Sequence, residues 1–293
     1  IDVTVDGTKN VTATTTDAAT PGIITVTGGK NIVAKTTAGT TTPAAITIKE
    51  DGDTTTAATI EKVTIDGLGA NSTIGTAAYG VDALKELTVK NNSVATATLD
   101  VETTVETLKV NLDNNKSTGA LTLKDTKLKT LNVDASGKES SVNFDTTSTI
   151  LETINISGNA KLTLVSGANV TDAATGVKEI NVTNTKGVVI TDPLGINTKF
   201  TGGTGADSVV IGATTKAIAM GAGNDTVNYT AVLGTGGSVD AGADKDTIKM
   251  NAANAIAITG DATNKFNNTF SNFEVLHITD ASATAIIDVD KIN

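Results

Sequence analysis

Glycine and aspartate recur in residues 202–249 in a spacing that brings backbone and side-chain oxygens together. Gly202–Val210 matches the pattern G-G-x-G-x-D-x-U-x at every defined position, with U a large apolar residue. Met220–Asn228 lacks only the first glycine, and Ala241–Lys249 lacks the first and has Asp244 in place of the third. Glycines let the backbone turn its carbonyl oxygens inward, and the aspartate adds an anionic oxygen. Because Ca²⁺ takes about six to eight hard oxygen ligands, these turns predict calcium binding.

The spacing of the three aspartates indicates how the turns are arranged. Asp207 and Asp225 are 18 residues apart, which is two copies of the nonapeptide and one full turn of a coil. Asp225 and Asp246 are 21 residues apart, so three residues are inserted, and we assign them to the bend at Leu233–Gly237. The three turns are therefore expected to stack on one edge of a repeating fold.

A strand phrase recurs through the preceding residues, with an apolar residue, two mainly polar positions and then apolar-polar-apolar. Its central apolar residues follow one another at steps of 24, 21, 23, 23 and 26. They are Val63, Leu87, Leu108, Leu131, Ile154 and Ile180. A period of this length is typical of solenoids and repeat arrays, so we expect these six residues to form one inward stack.

A second alternating strand lies between consecutive phrases, as at Leu121–Leu123 and Leu162–Leu164. Each repeat is then strand, turn, strand, turn, with turns of Gly, Asn, Asp, Ser and Thr. Period-two alternation and the abundance of Thr, Val and Asn argue against helices. The sequence predicts an all-β chain, a right-handed parallel β-helix or β-solenoid with a short calcium-binding β-roll segment.

The expected organisation has four parts. Residues 1–59 form an N-terminal β module or the first coils, since their strands show the same apolar-polar alternation but follow the repeat less regularly. Residues 60–200 form the solenoid with repeats of about 21–26 residues, and residues 201–250 form the calcium-binding segment. Residues 251–293 are expected to add C-terminal β coils or a cap.

Composition and charge exclude several classes of function. The 293 residues carry a formal net charge of −10, no arginine and no cysteine. Nucleic acid is therefore not expected as a partner, and thiolate sites and disulfides are not available. No apolar run approaches the roughly 18 residues of a transmembrane helix. Because the sequence begins at Ile1, we expect a processed product or a fragment of a longer chain.

Candidate catalytic residues are few. The single histidine, His277, lies in another copy of the strand phrase, and no nucleophile motif accompanies it. Paired acids on a β-helix could still serve a polysaccharide-active enzyme, but the Asp and Glu residues are spread through turns and outward positions. We expect no enzymatic activity.

The glycine-aspartate turns resemble the RTX calcium-binding β-roll family, whose members are exported by type I secretion from Gram-negative bacteria. The resemblance covers about a sixth of the chain, and it implies ions held between stacked turns. For the first ion it implies Gly202, Thr204 and Asp207 facing Gly221, Gly223 and Asp225; for the second, Met220, Ala222 and Asp225 facing Gly242, Asp244 and Asp246. Neither Ile211–Ala219 nor Tyr229–Gly237 contains aspartate, so ions are expected on one edge only.

In composition and in its repeats the chain resembles the S-layer proteins of Gram-negative bacteria, because it is acidic, free of cysteine and rich in Thr, Ala, Gly and Asn. This resemblance implies a structural protein on the outer cell surface that self-assembles into a calcium-dependent coat. It implies other copies of the chain as partners, with cell-surface polysaccharide or lipopolysaccharide as a further one. The rival interpretation is an RTX adhesin or surface binding module, although the two tyrosines and five phenylalanines offer little to line a glycan pocket.

Overall fold

The computed structural model describes residues 1–15, 22–36, 45–52, 57–92, 96–116, 119–165, 177–259 and 265–280. Within these residues the strands form two sheets in which every paired neighbour runs parallel, and the chain alternates between the sheets. Each coil thus contributes one strand to each sheet. The predicted parallel β-solenoid is confirmed.

The first sheet has 13 described strands and contains every odd-numbered one. They are β1 (Asp2–Thr4), β3 (Ile24–Thr27), β5 (Ile46–Lys49), β7 (Ser72–Ile74), β9 (Leu99–Glu102), β11 (Ala120–Lys124), β13 (Ser140–Thr146), β15 (Leu162–Leu164), β17 (Val188–Pro193), β19 (Ser208–Ile211), β21 (Thr226–Tyr229), β23 (Thr247–Met250) and β25 (Val275–Ile278).

The second sheet has 12 described strands and contains the even-numbered ones. They are β2 (Asn10–Thr15), β4 (Asn31–Thr36), β6 (Lys62–Asp66), β8 (Glu86–Lys90), β10 (Thr107–Asp113), β12 (Thr130–Ala135), β14 (Thr153–Gly158), β16 (Glu179–Val182), β18 (Lys199–Thr201), β20 (Ala217–Ala219), β22 (Ser238–Asp240) and β24 (Phe270–Ser271).

The apolar core lies between the sheets and follows from the alternation of the strands. In β12, Leu131 and Val133 are buried while Asn132 between them faces outward. Parallel pairing places equivalent apolar residues of successive coils over one another, and the core continues from Val11 to Phe270. Because both sheets contribute one face to this core, no coil buries its apolar residues alone.

The predicted inward stack is correct in its members but not in one register. All six residues from Val63 to Ile180 are buried, and Leu108, Leu131, Ile154 and Ile180 pair in sequence. Leu87, however, pairs with Val110 rather than with Leu108. The repeated phrase therefore aligned Leu87 with Leu108, which lies two residues before its actual partner in β10. A shift of two keeps the same side chains inward, so the alternation does not distinguish the two registers.

The sheets continue across the expected boundary at residue 59, because β4 pairs with β6 and β5 pairs with β7. They continue equally from β16 to β18 near residue 200. The glycine-aspartate turns thus belong to coils of the same solenoid.

The C-terminal part contains two short helices that the sequence reasoning did not predict. They are α1 (Ala252–Thr259) and α2 (Lys265–Thr269), followed by β24 and β25. The Asn251 side chain accepts a hydrogen bond from the Asn254 amide at 2.7 Å, as an N-cap does. Part of the predicted range 251–293, residues 281–293, lies outside the described residues. None of the described helices has the length and apolarity to cross a membrane.

Candidate metal centre

The three glycine-aspartate segments occupy one edge of the solenoid, where the chain leaves an even-numbered strand and enters the next odd-numbered strand. Residues 202–207 connect β18 to β19, residues 220–225 connect β20 to β21, and residues 241–246 connect β22 to β23. We call these the first, second and third loops. The Ala222 amide donates to the Gly203 carbonyl and the Ala243 amide to the Gly221 carbonyl, both at 2.9 Å. The loops are therefore stacked directly, as the aspartate spacing predicted.

Glycine is required in this stack because the backbones approach one another too closely for a side chain. A Cβ at Gly202 would lie 1.8 Å from the Met220 carbonyl oxygen. A Cβ at Gly242 would lie 1.8 Å from the Gly221 carbonyl oxygen, and Gly242 also has a φ of +97°. The loops thus form a layered cradle of carbonyl and amide groups.

A ladder of carboxylates runs through the stack from coil to coil. Asp207 accepts a hydrogen bond from the Val188 amide of the preceding coil, Asp225 from the Asp207 amide, and Asp246 from the Asp225 amide, each at 2.7 Å. Glu274 continues the series by accepting from the Asp246 amide at 2.7 Å. Each of these acids immediately precedes an odd strand, so the ladder fixes the register at the start of that sheet.

The second carboxylate oxygens differ between the loops. Oδ2 of Asp207 accepts a hydrogen bond from the Gly203 amide at 3.2 Å. Oδ2 of Asp225 and Oδ2 of Asp246 are buried and have no hydrogen-bond partner among the described residues. These two residues are 1% and 0% exposed, so bulk solvent does not reach them. A buried anionic oxygen without a donor is unfavourable unless a cation or a proton neutralises it.

The electrostatics of the three aspartates agree with this geometry. Burial raises the pKa of Asp207 to about 6. Burial raises the pKa of Asp225 to about 8, and the nearby charges of Asp207, Asp246 and Asp244 act in the same direction. Burial, together with the charges of Glu274, Asp244 and Asp240, also raises the pKa of Asp246. The stack therefore holds buried acids that repel one another and gain from a cation.

The structure places all eleven predicted ligand residues in the three loops. They are Gly202, Thr204, Asp207, Met220, Gly221, Ala222, Gly223, Asp225, Gly242, Asp244 and Asp246. Several of them already make contacts between loops: the Gly221 carbonyl accepts from the Ala243 amide, and Oδ2 of Asp244 accepts from the Gly223 amide at 3.1 Å. Thr204 is exposed at the outer rim.

Sequence reasoning missed two acids that belong to this edge. Glu274 ends the carboxylate ladder, and Asp240 accepts hydrogen bonds from the Gly242 amide at 3.1 Å and the Asn272 side chain at 2.7 Å. The sequence did contain a signal for Glu274. In Glu274-Val275-Leu276, as in Asp207-Ser208-Val209, an acid stands two positions before an apolar residue of the following strand. The glutamate escaped notice because the coil lacks the glycines of the motif.

The residues present fit a calcium ion in chemical type. In the described part of the chain, no three His, Asp or Glu side chains converge as a metal-binding group. A cation in the stack would therefore take one or two carboxylates and complete its shell with backbone carbonyls, which are ligands suited to Ca²⁺. The two carboxylate oxygens without partners would supply the anionic part of such a shell.

Comparison with known proteins adds no family. A scan against protein-family models finds none that matches the chain, and a search of curated proteins gives no significant match.

Proposed function

We propose that the chain is a structural, non-enzymatic protein of a bacterial surface layer (S-layer), which self-assembles outside the cell with calcium bound in its loop stack. The observation that carries the proposal is the pair of buried carboxylate oxygens, Oδ2 of Asp225 and Oδ2 of Asp246, that lack a partner. A bound cation would neutralise both.

The shape of the solenoid supports a role in assembly. Neighbouring strands lie about 4.8 Å apart, so the 13 described strands of the first sheet give a rod about 60 Å long. Its outer faces are regular and polar, as in the amide ladder in which Asn155 donates to Asn132 and Asn181 donates to Asn155, at 2.9 and 3.2 Å. A regular rod offers the repeated contacts that an ordered array of identical subunits needs.

Calcium also supplies a physical reason for assembly outside the cell only. Where calcium is scarce, the repulsion among the buried acids of the loop stack opposes folding of these coils. Where calcium is abundant, its binding free energy adds to the folding free energy. The chain would then leave the cell loosely folded and order itself after export, through the type I route that the RTX resemblance implies.

Electron microscopy of the purified protein tests the proposal. We expect ordered arrays in millimolar calcium, dispersed particles with a chelator, and no rescue by magnesium, which demands a tighter octahedral shell. In the double variant Asp225→Asn, Asp246→Asn, array formation should no longer depend on calcium, whereas Glu106→Gln, on an exposed side chain far from the loops, should keep the calcium dependence of the unaltered protein. Arrays that form equally well in chelator would contradict the proposal, as would their absence at every calcium concentration.

A further inference from the structure

The loop with the complete nonapeptide differs in backbone conformation from the two degenerate loops. In the second loop Gly221 and Gly223 have φ of +100° and +119°, and in the third loop Gly242 and Asp244 have φ of +97° and +86°. None of residues 202–207 of the first loop lies in this left-handed region. The second and third loops therefore share one conformation, and the first loop has another.

The contacts of the aspartates differ between the loops in the same way. In the first loop the Gly203 amide points at the Asp207 carboxylate of its own loop. At the equivalent position of the third loop, the Gly242 amide donates to Asp240 instead. Oδ2 of Asp225 in the second loop and Oδ2 of Asp246 in the third loop have no partner among the described residues.

We propose that calcium is bound by the second and third loops through Asp225 and Asp246, and that Asp207 is a metal-independent positioning residue. This inference rests on the proposed calcium-binding function and goes beyond it, because the complete motif, Gly202–Val210, is the one assigned no ion. An amide donor already contacts each oxygen of Asp207, so this carboxylate gains less from a cation than the carboxylates of Asp225 and Asp246, each of which has an oxygen without a donor.

Asp207 has a different task at the junction of the loop stack with the preceding coils. Its carboxylate joins the Val188 amide of β17 to the first loop. The backbones are in close contact at the same point, since a Cβ at Gly187 would lie 1.9 Å from the Ala206 carbonyl oxygen. Asp207 thus clamps the first loop onto a coil that has no glycine-aspartate turn.

Three isosteric variants, Asp207→Asn, Asp225→Asn and Asp246→Asn, separate the two roles when calcium titration calorimetry is combined with thermal unfolding in chelator. We expect Asp207→Asn to bind as many ions as the unaltered protein with the same affinity, but to unfold at a lower temperature in chelator, since an amide NH₂ would face the Gly203 amide. We expect Asp225→Asn and Asp246→Asn to lose an ion or to weaken binding by at least about tenfold. In chelator these two variants should unfold at the same temperature as the unaltered protein or higher, because each removes a buried carboxyl group that must either take up a proton on folding or stay charged without a donor.

A result in which Asp207→Asn weakens calcium binding as much as Asp225→Asn does would overturn the inference while leaving the proposed function intact. An unaltered protein that binds no calcium would instead overturn the proposed function itself. If Asp207→Asn does not fold, hydrogen exchange of the unaltered protein decides: the Val188 amide should be equally protected with calcium and with chelator, and a loss of its protection in chelator would contradict the clamp.

Discussion

Glycine and the acidic residues have separate tasks in the loop stack: the glycines let successive backbones approach closely, and the carboxylates join each coil to the preceding one. The positions of Asp207, Asp225 and Asp246 on one edge could be predicted, because a spacing of whole coils returns the chain to the same edge. Which carboxylate oxygen lacks a donor could not be predicted. The loops with an oxygen lacking a donor are those with a positive φ at the second position of the nonapeptide, where glycine allows either sign of φ.

Gly242 is the position where a side chain would be least tolerated. In Gly242→Ala the Cβ would overlap the Gly221 carbonyl oxygen and the backbone would keep an unfavourable positive φ. We expect the free energy of unfolding to fall by about 2 kcal/mol or more. Chemical denaturation in calcium measures it. Gly212→Ala is the matched control, because its Cβ would have no neighbour closer than 3.8 Å, and an equal loss in both variants would show that the loops are not closely stacked.

Asp125 shows that a buried acid in this solenoid can also be satisfied without metal. Its carboxylate accepts hydrogen bonds from the Val105, Lys127 and Leu128 amides, and burial raises its pKa above the ordinary value of 3.8. The folded state therefore holds a proton that the unfolded state releases, so stability from this group is present at low pH and is lost as pH rises through the raised pKa.

The consequence is a pH dependence that can be isolated with Asp125→Asn. The stability of the unaltered protein relative to this variant should increase as pH falls from 7 toward 4, because only the unaltered side chain takes up a proton on folding. Urea unfolding of both proteins in chelator, at matched pH values, measures the difference. A difference that stays constant or decreases toward low pH would mean that the amide donors outweigh burial and hold the pKa down.

The alternation of apolar and polar residues predicts the strands, and the repeat period predicts which strands pair, but neither fixes the register of every pair. Alternation identified the inward residues of β6, β8, β12, β14 and β16, all of which are buried. It did not fix the register of β10, because a shift of two residues leaves the inward side unchanged. The helices α1 and α2 were missed for a related reason: Ala252–Thr259 is short and apolar on most sides, so no period stands out.

Two adjacent residues of β12 test the inward and outward assignment. Leu131 is fully buried, so Leu131→Ala should lower the free energy of unfolding by about 2–5 kcal/mol through lost contacts and a cavity. Asn132 faces outward and accepts one hydrogen bond from Asn155, so Asn132→Ala should cost only about 0.5–1.5 kcal/mol. Both losses should be the same with calcium and with chelator, and denaturant unfolding under the two conditions measures them. Equal costs for the two variants would contradict the placement of this strand.

The molecule as a whole combines two sources of stability along one continuous core. In a repeat protein each coil is stabilised mainly by its neighbours, so different parts can respond differently to one perturbation. Coils in residues 84–165 are held by apolar stacking between the sheets and by outward ladders. Coils in residues 220–250 add buried acids that require neutralisation. The repeat period predicted the continuity of the solenoid, whereas the difference between its parts became visible only through the contacts of individual carboxylates.

Hydrogen exchange across the whole chain, with calcium and with chelator, tests the central claim most directly. We expect removal of calcium to reduce amide protection strongly in residues 220–250, which contain the second and third loops, and to leave residues 84–165 almost unchanged, since apolar stacking needs no ion. Magnesium in place of calcium should give the pattern seen with chelator. Equal protection of both regions under all conditions would contradict the claim that calcium stabilises the loop stack.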